Sequence, residues 1–104
     1  MYMNKYSASE VFSKETEGWL SESIGQVNSN QVHARIMNDL ETEFHTHTNS
    51  DEFFLVLKGQ LDIDIEGKTI TLLMGDSFTV TSGQKHRARA QGRVELITVI
   101  LEHA

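Results

Sequence analysis

The stretch His45-Thr46-His47-Thr48-Asn49-Ser50-Asp51-Glu52-Phe53-Phe54-Leu55-Val56-Leu57-Lys58-Gly59 decides the fold. On an extended chain, side chains at i and i+2 share a face about 6–7 Å apart along the backbone. His45 and His47 therefore project together, and Thr46 points away. Asn49-Ser50-Asp51 reads as a bend, and Glu52 opens the next strand, where an antiparallel neighbour returns its carboxylate to the same side. A third histidine ends the segment Gly83-Gln84-Lys85-His86 and comes from a strand elsewhere. Three imidazoles and one carboxylate suit a borderline divalent ion: iron, manganese, nickel, cobalt, copper or zinc. Four protein ligands in an octahedral shell leave two positions open, which separates a catalytic centre from a structural one. A His-x-His pair alone is more often a surface feature, so the spacing across both segments carries the reading.

Outward from that stretch the chain reads as short strands with turn residues between them. Leu61-Asp62-Ile63-Asp64-Ile65-Glu66 alternates strictly, so Leu61, Ile63 and Ile65 face a core and the three acids face water. Glu66-Gly67-Lys68 turns the chain back into Thr69–Met74 as a hairpin, and Lys58-Gly59-Gln60 makes a similar turn. Gly75-Asp76, Ser82-Gly83 and Gln91-Gly92 punctuate the remainder. Short strands at near-regular spacing point to an all-β sandwich or barrel. Phe53–Leu57 is apolar on both faces. If Glu52, Phe54 and Val56 point inward, Phe53, Leu55 and Leu57 form an outer apolar row that needs a cover. A second subunit is the expected cover, and the first 24 residues are the competing one. Ser7-Ala8-Ser9-Glu10 has the spacing of a helix capping box. Val11, Phe12, Trp19, Leu20 and Ile24 then supply an apolar face to a short helix or an irregular arm.

The chain has 104 residues, room for one domain. A domain of this size buries only roughly 60–65% of its unfolded surface. The formal net charge is -6, and no basic block meets phosphates, so nucleic acid is not expected as a partner. Lys85, Arg87, Arg89 and Arg93 form the most basic segment and read as a solvated strand edge. No cysteine is present, which excludes disulfides and thiolate sites. The apolar runs Phe53–Leu57 and Leu96–Leu101 are far too short to span a membrane, and residues 1–14 lack a signal-peptide core. A cytoplasmic protein without membrane association is expected.

The double pattern resembles the cupin superfamily, in particular its small single-domain members. The family's first motif is G-x5-H-x-H-x(3,4)-E-x6-G, and this chain carries His45, His47, Glu52 and Gly59 at those positions. The second is G-x5-P-x-G-x2-H-x3-N, matched by Gly75, Gly83 and His86. Every ligand position agrees. Three positions depart: Asp39 stands for the opening glycine, Thr81 for the proline and Ala90 for the asparagine. Aspartate tolerates left-handed turns better than most residues, so Asn38-Asp39 still turns. The resemblance covers roughly residues 32–101. It implies a jelly-roll barrel, or double-stranded β-helix, over residues 31–104, with residues 1–30 as an N-terminal arm or short helix. It further implies a homodimer and a metal inside the barrel near its mouth, held by His45, His47, Glu52 and His86.

Other residues carry weaker signals, and no catalytic residue is assigned. If His86 faces the cavity, Ala88 and Ala90 face it too and widen it, unless they pack a tight corner. His33, Arg35 and Met37 share a face. Inside the barrel, Arg35 would hold a substrate carboxylate or phosphate and His33 would move a proton. Arginine favours solvent by base rate, so the outer face is expected for both. Metal-free cupin-type epimerases resemble sites built on a His–Tyr pair, but Tyr2 and Tyr6 lie outside the barrel motifs. No serine sits in a nucleophile elbow. The function expected is a metal-dependent enzyme acting on a small polar organic molecule by dioxygenase, isomerase, lyase or decarboxylase chemistry. The alternative is a non-catalytic module that binds or senses a small molecule or sugar. Fold does not choose between them.

Overall fold

The computed structural model describes residues 5–101. A short helix, α1 (Ala8–Phe12), precedes seven strands: β1 (Trp19–Val27), β2 (Asn30–Glu41), β3 (Glu52–Lys58), β4 (Leu61–Ile65), β5 (Lys68–Leu72), β6 (Ser77–Val80) and β7 (His86–Leu101). All pairings are antiparallel, in the order β1-β2-β7-β3-β6, with β4 joined to β5 and β7. The molecule is an all-β jelly-roll barrel.

The long strand β7 holds it together by changing partners along its length. Residues His86–Ala90 pair with β4, Leu96–Ile100 pair with β3, and β2 runs along the other edge. The hand-over occurs where Gln91 and Gly92 stand opposite Asp39 alone. Such a bulge bends the strand and sharpens its twist, which closes a sheet into a barrel. Asp39 adopts φ 49° and Gly92 φ 74°, and the Gly92 amide donates to Asp39 Oδ1 at 2.6 Å. Asp39 thus takes the left-handed turn expected of it and adds a bond that glycine lacks.

The interior follows the strict alternation of β4. Leu61 and Ile63 are fully buried and Ile65 nearly so, packed with Val56, Val94 and Leu96. Glu66 and Gly67 both take positive φ in the two-residue turn that joins β4 to β5. Gly59 is required by contact as well as by φ: a Cβ there would stand 2.4 Å from the Arg93 carbonyl oxygen. That closing glycine of the first motif lets the β3–β4 turn lie against β7.

The N-terminal residues differ from their expected form. Ser7 caps α1, accepting from the Glu10 amide at 3.2 Å, as the capping spacing predicts. The helix ends at Phe12, however, and Trp19, Leu20 and Ile24 lie in β1, paired with β2. The consecutive polar run Ser21-Glu22-Ser23 hides the period of β1 in the sequence. α1 packs on β2 with Val11 buried, and the outward-facing Ala34 and Ile36 of β2 are fully buried. Residues 1–4 and 102–104, the ends of the expected arm and barrel, lie outside the described residues.

The basic segment also differs from the expected solvated edge. β7 is central, and Arg87 and Arg89 are half-buried against Asp64. Arg93 donates to Glu95 and to the carbonyls of Phe12 and Lys14, tying the helix end to the barrel.

Candidate metal centre

His45, His47, Glu52 and His86 come together, each offering a ligand atom, with all four atoms within 4.8 Å of one another. Three pieces of chain deliver them. His45 makes an isolated two-way bridge with His86: each backbone amide donates to the other's carbonyl at 2.9 Å. His47 lies just beyond, on irregular backbone, so the His-x-His pair is extended without being a regular strand. Its ring still shares a side with its neighbours, with centroid separations of 5.0 Å to His45 and 5.7 Å to His86. Glu52 opens β3 and is buried.

The two motifs are joined by the turn of the second. The Gln84 amide donates to the Thr81 carbonyl at 3.1 Å, with Gly83 at φ 89° in the third turn position. Three bonds then tie this turn to the loop after His47. The Gly83 amide donates to the His47 carbonyl, the Ser82 amide to Asp51 Oδ1, and the Ser82 hydroxyl to the Thr48 carbonyl, each at 2.8 Å. Thr81, in the proline's place, keeps the turn by pairing with the Gln84 side chain at 2.7 Å.

Ring orientation suits coordination. His45 Nδ1 lies 2.7 Å from the Glu43 carbonyl, and His86 Nδ1 lies 2.9 Å from that of Gln84. A carbonyl only accepts, so both rings donate from Nδ1 and turn Nε2 toward the cluster. Metal-ligating histidines are held this way by their second nitrogen. His86 Nε2 also meets Glu52 Oε1 at 3.1 Å. Burial alone lowers the His86 pKa, but acceptors at both ring nitrogens outweigh it and hold the pKa above the ordinary histidine value. Burial likewise pushes Glu52 upward, but the His86 bond and the Arg35 and His47 charges leave it below the ordinary carboxylate range. Burial keeps His47 below its usual value against the opposing pull of the Glu52 carboxylate, with the Arg35 charge adding to the lowering. A divalent ion fits this donor set and would replace the proton on His86.

Three of the four, His45, His47 and Glu52, line a cavity of about 480 Å³, shared with Trp19, His33, Arg35, Met37, Phe54, Ala88 and neighbours, and His86 is buried behind them. Here the expected placement of His33 and Arg35 is corrected: both face the interior. Arg35 Nη1 reaches Glu52 Oε2 at 3.4 Å, and its Nε donates to Ser21 Oγ at 3.1 Å. A carboxylate inside the barrel offsets the cost of burying the guanidinium, which overrides the base rate for arginine. Burial and the Arg35 charge lower the His33 pKa, and its Nδ1 is buried without a hydrogen-bond partner among the described residues. Ala88 lines the cavity, one of the two placements left open for it. Ala90 does not line it: it is buried opposite Leu61. Trp19, Ser21 and Thr42 are wall or support residues that sequence reading missed. Thr42 exchanges two hydrogen bonds with the Ala88 backbone, and no local pattern announces that contact.

The cupin domain family matches residues 30–100. The chain is a cupin. It is 37% identical over 82 residues to the uncharacterized protein YdbB of Bacillus subtilis strain 168, covering 78% of this chain and 70% of that protein. Among solved structures it resembles a cupin-2 domain protein from Shewanella frigidimarina NCIMB 400, with TM-score 0.85, 24% identity and coverage of 93% and 94%. It also resembles KdgF from a Halomonas species, with TM-score 0.76, 18% identity and coverage of 88% and 86%. At these identities the structural likenesses establish the barrel alone.

Proposed function

We propose that this cupin binds one divalent transition ion through His45, His47, Glu52 and His86 and uses it to transform a small polar organic molecule. The observation that carries this reading is the convergence of four ligand atoms beside a cavity that His45, His47 and Glu52 line. Such an ion supplies Lewis acidity or redox chemistry and leaves positions for substrate oxygens. The chain's own contribution is placement. The Nδ1 bonds of His45 and His86 aim the rings, Glu52 divides its oxygens between the histidines and Arg35, and Met37, Phe54 and Leu96 supply apolar wall beside them. Iron, manganese, nickel, cobalt, copper and zinc all suit the donors. The test is metal content of the purified protein, then turnover and oxygen consumption with hydroxy acids, keto acids, sugars and phenols. Turnover that vanishes in His47→Ala while the fold persists supports the enzyme. Tight ligand retention without turnover supports a binding module instead. A protein that takes up no cation overturns both metal readings.

The same proposal includes a homodimer. Phe53, Leu55, Ile97 and Val99 form paired rows on the outer face of β3 and β7 and are only half-buried, and Leu57 beside them is exposed. α1 packs on β2, and a second copy is the fitting cover for this row. Sedimentation at the single-chain mass of 11.8 kDa would remove this part of the proposal. A cytoplasmic setting accords with a chain free of cysteine.

A further inference from the structure

We infer that the cavity is built for a small carboxylate, a 2-hydroxy or 2-oxo acid, whose anionic group is held by Arg35 beside the metal centre. The inference rests on the metal reading above and adds the substrate class. Arg35 is held on three sides. Ser21 takes its Nε, Glu52 Oε2 takes its Nη1, and the Trp19 ring lies 5.2 Å below the guanidinium carbon. Only 16% of its side-chain surface stays exposed. A guanidinium has five N–H donors in a fixed fork. Two are used here, the Glu52 contact being long, and Nη2 has no protein partner among the described residues.

A guanidinium serving only as counter-ion to Glu52 would turn its fork onto both carboxylate oxygens. Here Oε1 faces His86 and His47 instead, and only Oε2 faces Arg35. The guanidinium therefore adjoins the metal ligands through Oε2, 3.4 Å from Nη1, and keeps donors free in the same cavity. Charge favours the same occupant. Arg35 and Glu52 cancel, ligating histidines are neutral, and a divalent ion leaves the cavity floor doubly positive. Met37, Phe54 and Leu96 on the walls offer that charge no anionic partner. A ligand reaching both the ion and the fork needs an oxygen next to its carboxylate, which 2-hydroxy and 2-oxo acids have.

The experiment loads the full chain with cobalt(II) and titrates glycolate and pyruvate, with their methyl esters as neutral controls. Binding is read by calorimetry and by the cobalt visible spectrum. The acids should bind and shift the spectrum, and the esters should bind at least tenfold more weakly. Arg35→Met should weaken the acids by about 10- to 100-fold with cobalt content unchanged, and Arg35→Lys should restore part of the loss. Equal binding of acid and ester, or full binding by Arg35→Met, overturns the inference. Should Arg35→Met lose cobalt, Ser21→Ala decides: it frees the guanidinium without touching a ligand, and weakened acid binding supports the inference while unchanged binding overturns it. If the wild-type chain takes no cobalt, the metal reading falls separately. The titration is then run on metal-free protein, where Arg35-dependent binding keeps the inference and its absence ends it.

Discussion

β7 carries two charged clusters on its two faces, and they have opposite characters. Outward, Arg87 and Arg89 close on Asp64. Arg89 donates to both carboxylate oxygens at 2.6 and 3.0 Å, Arg87 donates at 2.8 Å, and Thr69 adds a hydroxyl at 2.6 Å. These partners, Arg89 foremost, hold the Asp64 carboxyl well below the usual carboxylate range. One residue away on the same strand, His86 faces inward to a cluster in which three imidazoles share one carboxylate. The outer cluster is satisfied by its own members and braces β4, β5 and β7. The inner one leaves ring nitrogens and arginine N–H groups aimed at a cavity. Charge alone does not mark a site: unsatisfied, convergent charge in a concave, partly dry place does.

The contrast breaks most readily at the inner face. His47→Ala should lower metal affinity more than about 100-fold, beyond the loss usual for a supporting residue, with the melting temperature of the metal-free protein little changed. Metal analysis after dialysis checks this, and a variant that keeps its ion would erase the distinction between the faces. Loading of the wild type should fall as pH drops, because protons compete with the ion for the ligating imidazoles and His86 holds its proton more firmly than an ordinary histidine.

Next in size is Ala88→Leu. Ala88 is buried in the cavity wall between the two outward arginines. Three added carbons should cost about 2 kcal/mol by overpacking and shrink the cavity, as read by urea unfolding and by loss of ligand binding. An unchanged midpoint would mean the inner face is looser than its packing implies.

Asp64→Asn should cost about 1 kcal/mol, the scale of a networked surface ion pair, and leave metal affinity unchanged. The sign with pH is set by the depressed Asp64 pKa. Its contribution is present above the unfolded value of about 3.9 and is lost as pH falls through the folded one. Wild type and variant should therefore differ at neutral pH and converge in strong acid.

The smallest effect sharpens the comparison from the other side. In metal-free protein, the raised His86 pKa stabilises fully below about 6.5, and that contribution fades as pH rises through the folded value. The depressed Glu52 pKa stabilises above about 4.3 and fades as pH falls through its folded value. The pair should thus contribute most in mildly acidic solution, and His86→Gln should remove the decline between pH 6 and 8. Thermal melts across that range decide it.

By itself the sequence determined whatever depends on local spacing. Alternation in Leu61–Ile65 set a buried row because the side-chain period of a strand is two. The histidine and glutamate spacings picked out four residues that come together because i and i+2 share a face, and Asp39 took its left-handed turn because few residues tolerate one. Tertiary structure alone decided which face of β2 turns inward, so Arg35 and His33 joined the cavity against expectation. It also moved Trp19 and Ser21 from an arm into the wall and sank Ala90 into the core. Those outcomes depend on register between strands far apart in the chain. A slip of one residue exchanges the two faces of a strand, and no local pattern records which partner sets that register.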